Sequence, residues 1–364
     1  MTRVFLAMLT LLVALPVAFA SAATPAQTAV HRGIDFIRTT QQADGGFGGF
    51  GPGQTMDAIY ALRAAGIQPE TVTRNGKSPA DYLRANAASL DTPAAAAKGV
   101  LGAVALGIDP RAVGGIDLVG RIRAGFNEAS GRYATDDFSH AVAIFGLACT
   151  GNSVPGTAIF ALRAAQLEDG SWGFDGFGDP DTTAISIEAL AAAGVGPADR
   201  DIGRALAYLR STQAADGGWG FDPAASNASS TAYVVQALIA VGEEPASGIY
   251  QKAGGNPISF LLGQQQADGS FAGYDAAYST NQVVPALAGR TFCNAATTTA
   301  APAPPEATPT PLAAPAASPT PLPPSTGSGQ QGTGGGFPGA SALLTVVIGA
   351  LAFGPVAAGW RRGR

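Results

Sequence analysis

Histidine and cysteine are scarce in this chain, with two of each among 364 residues. His31 and His140 lie far apart, as do Cys149 and Cys293, so no spacing suited to a zinc site exists. Charge is scarce as well, at 13% Asp, Glu, Lys and Arg. The basic share is the smaller one. Setting aside Arg3 and the tail residues Arg361, Arg362 and Arg364, 17 basic residues face 26 acidic ones, a net charge of about −9. That balance argues against nucleic acid or an anionic membrane surface as partner.

The hydrophobic residues are distributed in a telling way. Arg3 precedes the apolar run 4–18, followed by small residues around Ala18-Phe19-Ala20 and Ala20-Ser21-Ala22, so residues 1–22 read as a secretory signal peptide. Near the other end, Ala340 to Gly359 carries no charge and is long enough to span a bilayer. Trp360 and the arginines after it place the C-terminus in the cytoplasm. The expected span is 339–360, with a cytoplasmic tail at 361–364. Residues 294–338 are rich in Pro, Thr, Ala and Gly and cannot bury a core, so they read as a disordered stalk. Within it, Pro323-Pro324-Ser325-Thr326-Gly327 resembles the sortase pattern Leu-Pro-x-Thr-Gly, departing at Pro323. The expected product is an exported, single-pass, cell-surface protein with its N-terminal domain outside. An exported chain also permits Cys149 and Cys293 to pair.

The body, residues 23–293, repeats one phrase. Gln213-Ala214-Ala215-Asp216-Gly217-Gly218-Trp219 returns around Gln166, Gly170 and Trp172, around Gln265, Gly269 and Phe271, and around Gln41, Gly45 and Phe47. Two copies are worn: Ala87 stands where Gln is expected, and Asn127, Gly131 and Tyr133 replace the phrase in the third. A fixed phrase at a period of several tens of residues signals a repeat fold. Each phrase follows a helix of mixed polarity and precedes a far more apolar one, as outer and buried helices should read. The apolar helices are expected to begin at Thr55, Thr92, Asp137, Thr182 or Thr183, Ser230 or Thr231, and Ser279 or Thr280, residue types that cap a first turn. They are expected to end at Gly66, Gly107, Gly151, Gly194, Gly242 and Gly289. Six endings mean six helical hairpins.

The run Arg204-Ala205, Leu209, Gln213, Gly217 and Trp219 resembles the QW motif of the squalene cyclase and protein prenyltransferase superfamily, as do Ile37 with Gln41, Leu162 with Gln166, and Leu261 with Gln265. The resemblance covers nearly the whole body. It implies an all-α fold, an α/α toroid of six inner helices ringed by six outer ones around a central cavity. It also implies a structural role for the motif: Gln41, Gln166, Gln213 and Gln265 bond backbone at a neighbouring helix end, with Phe47, Trp172, Trp219 and Phe271 packed beside them.

The same toroid serves terpene cyclases, protein prenyltransferases, complement-type thioester domains and animal cobalamin carriers, so the fold alone does not choose a function. No Asp-x-Cys pairing suits a prenyltransferase zinc, and no Cys-Gly-Glu-Gln suits a thioester. A glycosidase or lyase would draw on Asp136, Asp137, Asp181 and Glu188, acids that helix capping also explains. A class II terpene cyclase takes its proton donor from Asp-x-Asp-Asp-Thr-Ala at the start of an inner helix, and Asp179-Pro180-Asp181-Thr182-Thr183-Ala184 matches that frame. The resemblance places Asp181 at the proton donor and Asp179 at its partner, with Thr182 in place of the next Asp. The bland alternative is that Asp181 caps the helix and Asp179-Pro180 is a turn.

The remaining function is binding. Aligned on their terminal glycines, the inner helices put Tyr60, Phe145, Glu188 and Gln236 in one column, with Tyr233, His140 and Asn281 nearby; Phe145 reads as core. Glu188 and Gln236 are buried polar groups that need partners. The expected function is therefore binding of a small, largely apolar ligand in the central cavity, isoprenoid or corrinoid-like, with no cofactor and no metal. The alternative is a squalene-cyclase-type isomerase using Asp181.

Overall fold

The computed structural model describes residues 23–49, 51–222 and 225–297. The expected signal peptide, most of the stalk and the expected membrane span lie outside the described residues. Among the described residues, no helix is long and apolar enough to cross a membrane.

Helices follow in alternation: α1 (Pro25–Thr39), α2 (Pro52–Ala64), α3 (Pro79–Asn86), α4 (Pro93–Ala105), α5 (Leu118–Ala124), α6 (Asp137–Cys149), α7 (Gly156–Ala164), α8 (Pro180–Ala192), α9 (Arg200–Thr212), α10 (Ala228–Ala240), α11 (Pro257–Gly263), α12 (Ala276–Leu287) and α13 (Phe292–Thr297). Between α7 and α8, β1 (Gly173–Phe174) and β2 (Phe177–Gly178) form a small antiparallel hairpin.

The even-numbered helices α2 to α12 form the inner ring. Each packs on its neighbours in order, and α12 returns to α2. They are apolar almost all round: in α8, residues 180 and 182–190 are buried. The odd helices α1 to α11 form the outer ring and bury one stripe; α9 hides Ile202, Ala205, Leu206, Tyr208 and Leu209 and exposes its charges.

The repeated phrase closes the ring by hydrogen bonds to backbone. Gln213 donates through Nε2 to Gly217 O in its own turn (2.9 Å) and to Tyr250 O ahead of α11 (2.8 Å). Gln166 does the same to Gly170 O and Asp201 O, and Gln41 to Gly45 O and Val72 O. Gln265 reaches Gly269 O and Ala29 O in α1, so the last repeat is latched to the first. The turn glycine is needed twice over. Gly217 sits at φ +94°, and a Cβ there would lie 2.7 Å from Gly255 O. The aromatic is clamped in turn: Trp219 donates Nε1–H to Leu209 O (2.7 Å) and its backbone N–H to Thr231 Oγ1 (2.9 Å).

That last bond corrects a sequence expectation. Thr55, Thr183, Thr231 and Thr280 do not cap their helices; they lie about a turn inside and accept the backbone N–H of Phe47, Trp172, Trp219 and Phe271. Four caps come earlier, at Asp136, Asp179, Asn227 and Asp275, with Thr92 as expected. All six terminal glycines from Gly66 to Gly289 have positive φ.

The worn repeats use substitutes. Where Ala87 replaces Gln, Arg121 donates to the carbonyls of Ala87, Ala88 and Leu90. In the third repeat Tyr133 donates its N–H to His140 Nδ1 (3.2 Å), so His140 occupies the role of the threonine.

Candidate functional site at the mouth of the ring

The six inner helices run in parallel, so their first turns define one end of the ring, here called the mouth. Asp179 is the N-cap of α8 and accepts from Thr182 N at 2.8 Å. Burial first of all holds its carboxyl above the usual range. Asp181, two residues on, has a buried Oδ1 without a hydrogen-bond partner. Burial, then the charge of Asp179, raise its carboxyl to about 7, against a smaller opposing effect of Ser230. A carboxylic acid that keeps its proton on about half of the molecules at pH 7 is able to donate it. The two sequence expectations for these acids thus divide: Asp179 is the cap, and Asp181 is not.

Tyr233 and Tyr278 lie close enough to Asp181 to feel its charge. Phe138 on α6 meets Tyr233 on α10 with centroids 6.1 Å apart, although α8 stands between those helices in the ring. The hydroxyls of Tyr233 and of Tyr278 on α12 influence each other, and burial first of all holds both phenols above their ordinary range. Beside them lies a group that sequence reasoning missed. Asp57 on α2, 1% exposed, takes both carboxylate oxygens to Lys98 Nζ on α4 (2.9 and 3.0 Å) and accepts from Gln282 Nε2 (3.3 Å). Burial still outweighs Lys98 and keeps the Asp57 carboxyl raised. The available signal was the one acid of α2 and the one charged residue of α4.

The other expected ligand residues separate. Glu188, 1% exposed, leaves both carboxylate oxygens without a partner, and burial alone holds it well above its ordinary value. Seven residues after Asp181, it shares that residue's helix face two turns deeper. Asn281 donates to Gln54 O (3.4 Å) and leaves Oδ1 buried and unpartnered. Tyr60 donates to Lys98 O (2.5 Å), and its ring lies on Phe292. Gln236 accepts from Phe292 N (3.0 Å) and donates to Gln282 O (3.4 Å). Phe145 is in the core. His140 is spent on structure: Nδ1 accepts from Tyr133, and Nε2 donates to Ala158 O on α7 (3.1 Å). Burial, then Arg132, lower it to about 4. Among the described residues, no group of three or more His, Cys, Asp or Glu side chains could hold a metal ion.

Three of the repeats carry a second aromatic just after the clamped one. Trp172, Trp219 and Phe271 are fully buried, whereas Phe174, Phe221 and Tyr274 are 54%, 56% and 76% exposed. Beside Phe174, a cleft of about 280 Å³ is lined by Asp136, Asp137 and Asp175 among others.

Residues 133–281 match the family described as the squalene-hopene cyclase C-terminal domain, a span that includes Asp179 to Ala184. The ring and the match agree on one fold, an α/α toroid of inner and outer helices. Among solved structures, the type II terpene cyclase MstE from Scytonema is similar at 14% identity and a TM-score of 0.54, covering 72% of this chain and 98% of its own. A variant of that cyclase in complex with geranylgeranyl dihydroxybenzoate, its substrate, aligns at 14% identity and 0.55, covering 75% and 97%. Another, in complex with the product merosterolic acid A, aligns at 15% and 0.55, covering 73% and 96%. No curated protein matches the sequence.

Proposed function

We propose that the toroid binds a small, largely apolar ligand that enters at the mouth and lodges among Asp181, Phe138, Tyr233 and Tyr278. The observation that carries this reading is the set of unpartnered buried acceptors along the inner ring: Asp181 Oδ1, both oxygens of Glu188, and Asn281 Oδ1. Each unsatisfied group of this kind costs about 1–3 kcal/mol. A bound molecule with one or two polar groups at the end of an apolar body would satisfy them, and the exposed Phe174, Phe221 and Tyr274 would guide that body in. MstE, a terpene cyclase with the same single ring, is known in complex with an isoprenoid-bearing substrate, which supports an isoprenoid as the ligand class. The signal-like residues 1–22, the stalk at 294–338 and the apolar run at 339–360 support a place outside the cell, tethered by one membrane span or sorted to the wall through 323–327. Calorimetry with geraniol tests the binding: saturable uptake at one site per chain is expected, and its absence sinks the reading.

A second reading is favoured by the raised carboxyl of Asp181, within the residues that match the cyclase family. In it, Asp181 transfers its proton to a terminal alkene carbon, and the electron-rich faces of Tyr233 and Phe138 stabilise the cation that results. The Asp181→Asn variant separates the two. Under pure binding it retains the ligand and nothing is turned over by either protein. Under catalysis, wild type yields a cyclised isoprenoid and the variant loses ~100-fold or more of that activity.

A further inference from the structure

At the mouth Phe138, Asp181 and Tyr278 are only half-buried, whereas the other end of the inner ring is stopped by the chain itself. After α12 the backbone turns back, and α13 packs against α2, α4 and α6. Cys293 is disulfide-bonded to Cys149 at the last residue of α6. Phe292 enters the axis, its ring 5.1 Å from Tyr60 and 6.3 Å from Tyr233, while its backbone N–H is held by Gln236. Tyr60, Tyr233, Phe292 and Gln236 are all below 5% exposed and close the axis at that level.

The depth above this stopper follows from helix geometry. Tyr60 and Gln236 each lie eight residues beyond the start of their inner helices, Tyr233 lies five beyond, and Asp181 only one. At 1.5 Å per residue, the floor is about 6 Å below Asp181 where Tyr233 projects and about 10 Å below it at Tyr60. We infer that Phe292, stapled by the Cys149–Cys293 disulfide, is the floor of the ligand site and sets the length of apolar chain that can be buried to one or two isoprene units. This rests on the ligand-binding reading above. A longer chain would leave its remainder outside the ring, among Phe174, Phe221 and Tyr274. The floor is built by the segment that leads directly into the stalk, so ligand length and attachment to the cell are joined in one element.

The test compares the full-length protein with Phe292→Ala in the same lipid nanodiscs, using dimethylallyl alcohol, geraniol, farnesol and geranylgeraniol as probes. The variant-to-wild-type affinity ratio at each length cancels the partition of the probe into lipid. A ratio near one is expected for the first two alcohols. For the last two the ratio should rise about tenfold or more, since each additional buried methylene adds to affinity. A flat ratio across the series, with the variant still helical by circular dichroism, overturns the floor. If Phe292→Ala does not fold, wild type with the disulfide reduced takes its place, and unchanged affinity for the long chains overturns the proposal equally. Binding by the opened protein alone supports the floor and contradicts the ligand-binding function. Binding by neither overturns both.

Discussion

The two ends of the ring are built on different rules. At the mouth, every good repeat drives its turn into the next repeat: a Cβ on Gly45, Gly170, Gly217 or Gly269 would come within 2.2–2.7 Å of a neighbouring backbone atom. At the far end, Gly107, Gly151, Gly194, Gly242 and Gly289 terminate the inner helices with nothing within 4 Å of where a Cβ would stand. One end is a set of interlocked joints, and the other a set of free turns. The joints hold the ring, which leaves the inner first turns at the mouth free to carry acids and aromatics. The free turns leave room at the other end for α13 to enter.

The largest break in this contrast should come from the joint itself. Trp219→Ala removes a fully buried indole and its bond to Leu209 O, an expected loss of about 3–5 kcal/mol. Chemical denaturation of the two proteins measures it; a loss below about 1 kcal/mol would mean the clamp is ornamental.

Paired glycine substitutions sharpen the comparison. Gly217→Ala meets both a left-handed backbone and the carbonyl of Gly255, whereas Gly242→Ala meets the backbone cost alone. The first should cost roughly 2–4 kcal/mol and the second about 1 kcal/mol. Equal shifts in melting temperature would erase the distinction between the ends.

A smaller effect tests the worn third joint. His140 is lowered to about 4 in the folded protein, against its ordinary 6.5. Between those values the unfolded chain takes up a proton that the folded chain refuses, so this residue costs stability as pH falls from 6.5 to 4. His140→Thr restores the residue type used by four other repeats. Its stability should fall less over that window than wild type, by roughly 2–3 kcal/mol at pH 4. Parallel pH curves for the two proteins would show that His140 is not held neutral by its joint. Asp181 and Glu188 work in the opposite sense, their raised carboxyls favouring the folded state at low pH, but they are common to both proteins.

The ring was legible in the sequence because its joints are local: Gln, Gly and aromatic at fixed offsets carry both partners of a turn. The role of threonine was misread because a threonine near a helix start resembles a cap, and only the fold brings the Trp219 N–H to Thr231. His140 looked like a ligand residue for the same reason: nothing local reveals that it stands in for a threonine. In the site, the Asp179–Asp181 pair was legible as a motif, but which acid is free depends on the helix register. The Asp57–Lys98 pair joins residues 41 apart, and the stopper joins Phe292 to Tyr60 and Tyr233 from the far end of the chain. Long-range meetings of this kind leave no spacing to read.

The most direct test of a ligand at the mouth is native mass spectrometry of the intact protein recovered from the cells that make it. The account predicts one small, largely apolar molecule per folded chain, released on unfolding and retained by Asp181→Asn. Recovery of the folded protein with no bound molecule, together with no uptake of geraniol or any longer prenyl alcohol, would contradict it.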